Sequence, residues 1–271
     1  MDVWRIVLHP TPMRGAWNMA VDEALLESTG RGDSLPTLRL YAWSPACLSL
    51  GYAQPVGDVD RVRLERLGWD LVRRPTGGRA VLHVDELTYS VTGPTEEPRL
   101  AGTVLESYSR LAEALVEALS LLGLPVTIVD RQPLRAQASN PVCFEVPSTY
   151  EITVGGKKLV GSAQTRRREG VLQHGALPLT GDITRILQVL SFPEEEKRMR
   201  AIEALRARAT TVESVLGRPV SWQEAAAAFQ EAFARRLNLR LVEGELTAAE
   251  EARAHQLQIE KYENPAWTYK Q

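Results

Sequence analysis

Three arginines, two adjacent glycines and a histidine crowd the stretch "RRPTGGRAVLH", residues 73–83. A glycine pair lets the backbone approach a ligand closely. Arg73, Arg74 and Arg79 beside Gly77 and Gly78 could therefore cradle a carboxylate, a thioester or a phosphate. The same residues also suit a charged hairpin on a solvated surface, with His83 a core imidazole satisfied by hydrogen bonds. The G-x-x-x-x-G-K-[ST] spacing of a nucleotide phosphate loop is absent. A second chemical stretch, "NPVCFEVPSTYEITVGGKKLVGSAQTRRREGVLQHGALPL" (140–179), holds one of the two cysteines.

Cys143 sits between Pro141 and Pro147, which argues for a loop. Reactive thiols need partial exposure and a neighbouring cation, whereas buried ones are inert. Cys47, inside "ACLSLG", has the inert context. Cys143 has the reactive one if Lys158 reaches it. A two-residue turn at Gly155-Gly156 pairs Lys158 with Thr153. Strict alternation then puts Lys158, Val160, Ser162 and Gln164 on one face, and Lys157, Leu159, Gly161 and Ala163 on the other. Cys143 precedes Thr153 by about ten residues, roughly 33 Å along an extended strand. The proline-flanked loop must fold back over the sheet if thiol and amine are to meet.

The elements that would position these groups read as mixed α/β. Strand patterns cover 3–8, 37–43, 47–52, 69–74, 86–92, 148–154, 157–167 and 171–179, with a helix over 16–29 that includes Asp22 and Glu23 among its polar positions. Leu105, Tyr108, Leu111, Leu115, Leu119 and Leu122 form a helical stripe over 104–124. Beyond Gly181 the chain turns helical over 183–207, 222–237 and 246–261. The expected organisation is a catalytic domain over 1–240 and a helical extension over 241–271.

Bulk properties narrow the class. With 32 Lys and Arg against 34 Asp and Glu, the net charge of −2 gives no footprint for nucleic acid. No apolar run approaches a membrane span. No basic leader precedes an apolar one, and the two cysteines share no metal-ligand spacing, so a reducing cytoplasm is the expected setting.

Taken together, "RRPTGGRAVLH…ELTYSV" and "VCFEVPS…GGKKLVGSAQTRR…LQHG", with "WNMAVDEALL" (17–26), resemble the lipoate–protein ligase and octanoyltransferase family. Within it the chain is most similar to the cysteine-loop octanoyl-[acyl carrier protein]:protein N-octanoyltransferases of Gram-positive type. Cys143-Phe144-Glu145-Val146-Pro147-Ser148 matches their C-F-x-x-P-S loop, and Lys158 matches their lysine ahead of Gly161-Ser162-Ala163-Gln164. The resemblance implies a biotin/lipoate ligase-like mixed sheet with surrounding helices. It implies Cys143 and Lys158 as the catalytic pair. The substrate cradle would comprise Arg73, Arg74, Gly77, Gly78, Arg79, His83, Gly161, Ser162, Gln164, His174 and Gly175. The reaction it implies needs no cofactor. The implied partners are octanoyl-acyl carrier protein as donor, and the glycine cleavage H protein or a 2-oxoacid dehydrogenase E2 as lipoyl-domain acceptor. An ATP-dependent lipoate ligase, an amidotransferase between lipoyl proteins and a silent acyl-binding module are the alternatives. ATP-using ligases of the family typically carry a third glycine where this chain has Arg79, and usually lack the loop cysteine. Val84 stands where the family commonly has an aspartate after the motif histidine, and Asp85 follows one step late.

Overall fold

A computed structural model describes residues 1–130, 150–168 and 170–270. Cys143 and its C-F-x-x-P-S loop lie outside the described residues. In chain order the elements are β1 (Asp2–Met13), α1 (Gly15–Arg31), β2 (Thr37–Trp43), β3 (Cys47–Leu50), α2 (Arg61–Arg66), β4 (Asp70–Arg73), β5 (Val81–His83) and β6 (Glu86–Gly93). There follow α3 (Val104–Leu121), β7 (Thr127–Asp130), β8 (Tyr150–Val154), β9 (Lys157–Arg167) and β10 (Gly170–Pro178). The remainder is α4 (Glu195–Arg208), α5 (Val212–Leu216), α6 (Trp222–Arg236), β11 (Leu239–Glu243), α7 (Ala248–Leu257) and α8 (Pro265–Thr268).

Eight strands form a sheet in the order β11-β1-β2-β6-β10-β9-β8-β7, and β4-β3-β5 form a second, smaller one. The large sheet is mixed: β1 runs parallel to both β11 and β2, and the other pairs are antiparallel. One face packs against α3 and α6 through Tyr89, Leu111, Leu115, Phe229 and Phe233, all fully buried. Each such side chain contributes about 1.5–3 kcal/mol relative to exposure. The α3 stripe begins at Leu111; Leu105 is exposed, because it falls about a third of a turn off the line through Leu111 and Leu115. The opposite face carries α1, whose residues Met19, Val21 and Leu25 cluster with Tyr41 and Trp43 of the large sheet, Cys47 and Val72 of the small one, and Ala254 and Leu257 of α7. The helix is buried nearly all round, and its buried polar residues Asn18, Asp22 and Glu23 are paired with Arg39 and Lys261.

Two helical expectations change. The stretch 183–207 is a 3-10 turn (Ile183–Gln188) followed by α4, with Pro193 between them. Proline lacks the N–H a continuing helix needs. Helix α7 runs on into a π-turn over Gln258–Tyr262. The boundary expected at 240/241 falls inside β11, which pairs with Asp2–Ile6. Beyond β11, Glu250 of α7 takes a two-pronged ion pair from Arg5 of β1 at 2.7 and 2.8 Å. Among the described residues no helix is long and apolar enough to cross a membrane.

The Arg5–Glu250 pair carries a measurable consequence. Burial alone would raise the Glu250 pKa, but the Arg5 bonds and the Thr247 N–H hold it down at about 2 against a usual 4.5. A carboxyl with a lowered folded-state pKa stabilises above its unfolded value and loses that contribution as pH falls through the folded one. The melting temperature of Glu250→Gln should therefore lie below the parent's at pH 7, and the gap should shrink as pH falls from about 4.5 towards 2. A gap independent of pH would show that the pair does not hold α7 to β1.

Candidate active site

A narrow cleft opens where α1, the small sheet and strands β9 and β10 meet. Its walls include Met19, Tyr41, Trp43, Ser49, Arg74, Val81, His83, Gly161, Ala163, His174 and Ala176. Alternation along β10 explains the lining. His174 and Ala176 face α1, while Gln173 bonds Tyr89 on the α6 side. Antiparallel pairing places Ala163 opposite His174 and Gly161 opposite Ala176, so both belong to the cleft face.

Two chains of the same chemical type flank the cleft. In the first, Glu86 Oε1 meets His83 Nδ1 at 2.5 Å and His83 Nε2 meets Ser49 Oγ at 2.8 Å. The imidazole is stacked on Trp43, with ring centroids 3.9 Å apart. In the second, Asp22 Oδ2 lies 3.1 Å from His174 Nδ1, and His174 Nε2 lies 2.6 Å from Thr76 Oγ1. A carboxylate at Nδ1 fixes the tautomer, leaving Nε2 to accept from the hydroxyl. Burial pushes the His174 pKa below its ordinary value despite Asp22, so the ring is neutral at neutral pH. Asp22 is fully buried, yet its pKa is low. Burial acts to raise it, but His174, Arg39 and Tyr41 outweigh that. Its carboxylate accepts from Arg39 at 2.9 Å, Tyr41 at 2.8 Å and Ser90 at 2.9 Å.

The residues expected from sequence are distributed as follows. Arg74 borders the cleft, but its N–H groups point to Ser49 O and Oγ, Gly77 O and Arg79 O. It curls the 74–79 loop rather than reaching into the cleft. Arg73, next along β4, faces the other way and is wholly buried against backbone carbonyls. The structure thus takes Arg73 out of the cradle, because adjacent strand residues project to opposite sides. Gly77 and Gly78 are exposed at the loop tip, and Gly78 has φ of 91°. A Cβ on Gly51 would stand 1.9 Å from Gly78 O, so the two loops touch backbone to backbone. Ser162 borders the cleft, yet its hydroxyl bonds Tyr89 at 2.8 Å. Gln164 lies away from the cleft, bonded to Ser107 of α3 and to Gln173. Gly175 is required by packing on that same side, where a Cβ would meet Ser162 Oγ at 2.6 Å and Tyr89 Cε1 at 2.7 Å. Asp85 pairs with Arg185 at 2.5 Å.

Lys158 corrects the strict alternation. It pairs with Thr153 as the Gly155-Gly156 turn predicts, but Ile152 pairs with Val160, leaving Leu159 as a β-bulge. Leu159 and Val160 both enter the α3 core. The extra residue shifts the phase by one, so Lys158 shares its face with Gly161 and Ala163 of the cleft and not with Ser162 and Gln164. Lys158 is 5% exposed, whereas Lys157 is exposed at the turn. Cys47 is buried, and burial drives its thiol pKa well above the usual value. Asp22, Ser49, Thr76 and Glu86 belong to the site without standing in the sequence-derived set. The available signal was a carboxylate inside the apolar run of α1 together with an arginine inside the apolar strand "TLRLYAW".

Residues 14–234 match the lipoyl protein ligase A/B catalytic domain, and the chain belongs to that family. Over the full length of both chains it is 45% identical to a protein of Kyrpidia tusciae named octanoyltransferase LipM. It is 42% identical to the protein of that name from Symbiobacterium thermophilum, over 97% of each chain. The fold is also that of solved lipoate ligases. The bipartite lipoate protein ligase of Thermoplasma acidophilum, studied with its E2 lipoyl domain, superposes with a TM-score of 0.83 at 28% identity, over 99% of this chain and 97% of that one. A lipoate-protein ligase A bound with ATP gives 0.81 at 28% identity, over 99% of each. The chain is an acyltransferase on a lipoate ligase-like α/β scaffold.

Proposed function

We propose that the chain transfers an octanoyl group from octanoyl-acyl carrier protein to the lysine ε-amine of a lipoyl domain, through a thioester on Cys143. The observation that carries this reading is the placement of Lys158 on the sheet face that lines an apolar-walled cleft, in a chain 45% identical to a named octanoyltransferase. The Cys143 thiolate attacks the donor carbonyl, the carbon–sulfur bond to the carrier breaks, and the carrier leaves as its thiol. The acceptor amine then attacks the acyl-enzyme, an amide forms and Cys143 is released. Each attack passes through an oxyanion, which a nearby ammonium stabilises. Thioester to amide is downhill, so the reaction requires no nucleotide. The acceptor class includes the glycine cleavage H protein and 2-oxoacid dehydrogenase E2.

Intact mass after incubation with octanoyl-acyl carrier protein tests it. The chain should gain one octanoyl group, removable by hydroxylamine. Cys143→Ala should lose the adduct, and Cys47→Ala should keep it. An adduct that persists in Cys143→Ala overturns the assignment. Acylation of an apo lipoyl domain should also proceed after ATP and magnesium are stripped. A strict ATP requirement would place the chain with the ATP-bound ligase instead.

A further inference from the structure

Arg73 belongs to the sequence motif yet does not touch the cleft, and its surroundings point to a different task. Its guanidinium donates to the carbonyls of Gly51 at 2.8 Å, Tyr52 at 3.1 Å and Gln54 at 2.6 Å. It also donates to Trp267 at 3.2 Å, Thr268 at 2.9 Å and Lys270 at 2.9 Å. One buried cation thus joins the 51–54 loop to a segment more than two hundred residues later. Trp267 returns the contact by donating its indole N–H to Arg73 O at 2.8 Å. The Lys270 ammonium lies 3.4 Å from the Tyr52 ring centroid and 3.8 Å from that of Trp267.

We propose that residues 265–270, acting through Arg73, form a strap that positions the glycine loop of the cleft. This rests on the reading of that cleft as the acyl site. The mechanical link is short. Gly51 presses on Gly78 O, Tyr52 N–H donates to Thr76 O at 2.8 Å, and Thr76 meets His174. A shift of Gly51 and Tyr52 is passed directly to the loop beside the reacting carbonyl. Only a planar fork with donors on three nitrogens satisfies carbonyls from both segments at once; a lysine is a single point charge on a flexible stem. Arg73 and Trp267 are positioning residues, since neither borders the cleft.

The test uses full-length Arg73→Lys and Trp267→Ala. Amide exchange at Tyr52, Gln54 and Arg74, whose N–H groups are bonded to Thr76, Gly51 and Leu50, should quicken about tenfold or more while β6 and β10 keep the parent rates. The KM for octanoyl-acyl carrier protein should rise roughly tenfold, with kcat per acylatable site changed less. Trp267→Ala removes one donor and one ring, so it reads the strap even if Arg73→Lys does not fold. Parent exchange rates at those three amides overturn the proposal, as does acceleration spread equally through β6 and β10. Failure of the parent to transfer octanoyl would remove the functional reading and leave the exchange result standing.

Discussion

Lys158→Ala should lose about a hundredfold or more of its octanoyl-transfer rate, the usual cost of deleting an oxyanion-stabilising group, whereas Lys157→Ala should stay near the parent. The two lysines are adjacent and chemically identical, so the difference tests geometry alone. Lys158 is buried opposite Thr153 on the cleft face, and Lys157 is exposed at the turn. An ammonium beside a thiol favours thiolate, so alkylation of Cys143 by iodoacetamide should slow in Lys158→Ala at neutral pH and recover at higher pH. Identical alkylation profiles in parent and variant would assign thiol activation to another group, with His83 and His174 next in line.

Asp22→Asn should destabilise the fold by about 3–5 kcal/mol, because it leaves a buried cation without its counter-charge. Arg39 and Asp22 side chains are both 0% exposed. Arg39 would keep Asn18 and His9 as partners, neither of them an anion. The carboxylate also accepts from Tyr41, Ser90 and His174, and an amide cannot accept from all of them. Exchanging both partners for apolar residues, Asp22→Leu with Arg39→Met, is often neutral for an isolated buried pair. Here it should recover only part of the loss, since three further donors stay buried without an acceptor. Urea denaturation of the parent and the two variants decides it. A loss under about 1 kcal/mol in Asp22→Asn, the scale of an exposed ion pair, would show that Arg39 does not depend on this carboxylate for its counter-charge.

How much of this was legible in the chain differs from residue to residue. The Gly155-Gly156 turn and its Lys158–Thr153 pairing could be read directly, because turn chemistry is local. The bulge could not: Leu159 and Val160 are both apolar, so either phase of the strand suits the same core. Arg73 and Arg74 illustrate the other limit. Alternation alone places them on opposite sides of β4, but which side holds the cleft depends on carbonyls 194 to 197 residues away in sequence. Asp22 reads as one polar helix position among several until Arg39 is known to face it. The break between Gln188 and Glu195 was marked by Pro193, and a continuous Ala, Arg, Glu and Leu composition on either side obscured it.

The pairing of β1 with β11 bears on how the molecule is made. Arg5 and Glu250 stand 245 residues apart in the chain, and β1 leaves the ribosome long before β11 exists. Until then one edge of β1 is open, a row of backbone donors and acceptors available to any other strand. Contacts of such sequence separation form late and slow the search. The same late segment brings α7 onto α1 and delivers the carbonyls that Arg73 requires. A nascent chain therefore holds most of its sheet before it holds a complete cleft, and chaperone dependence should concentrate in the interval when β1 is translated and β11 is not.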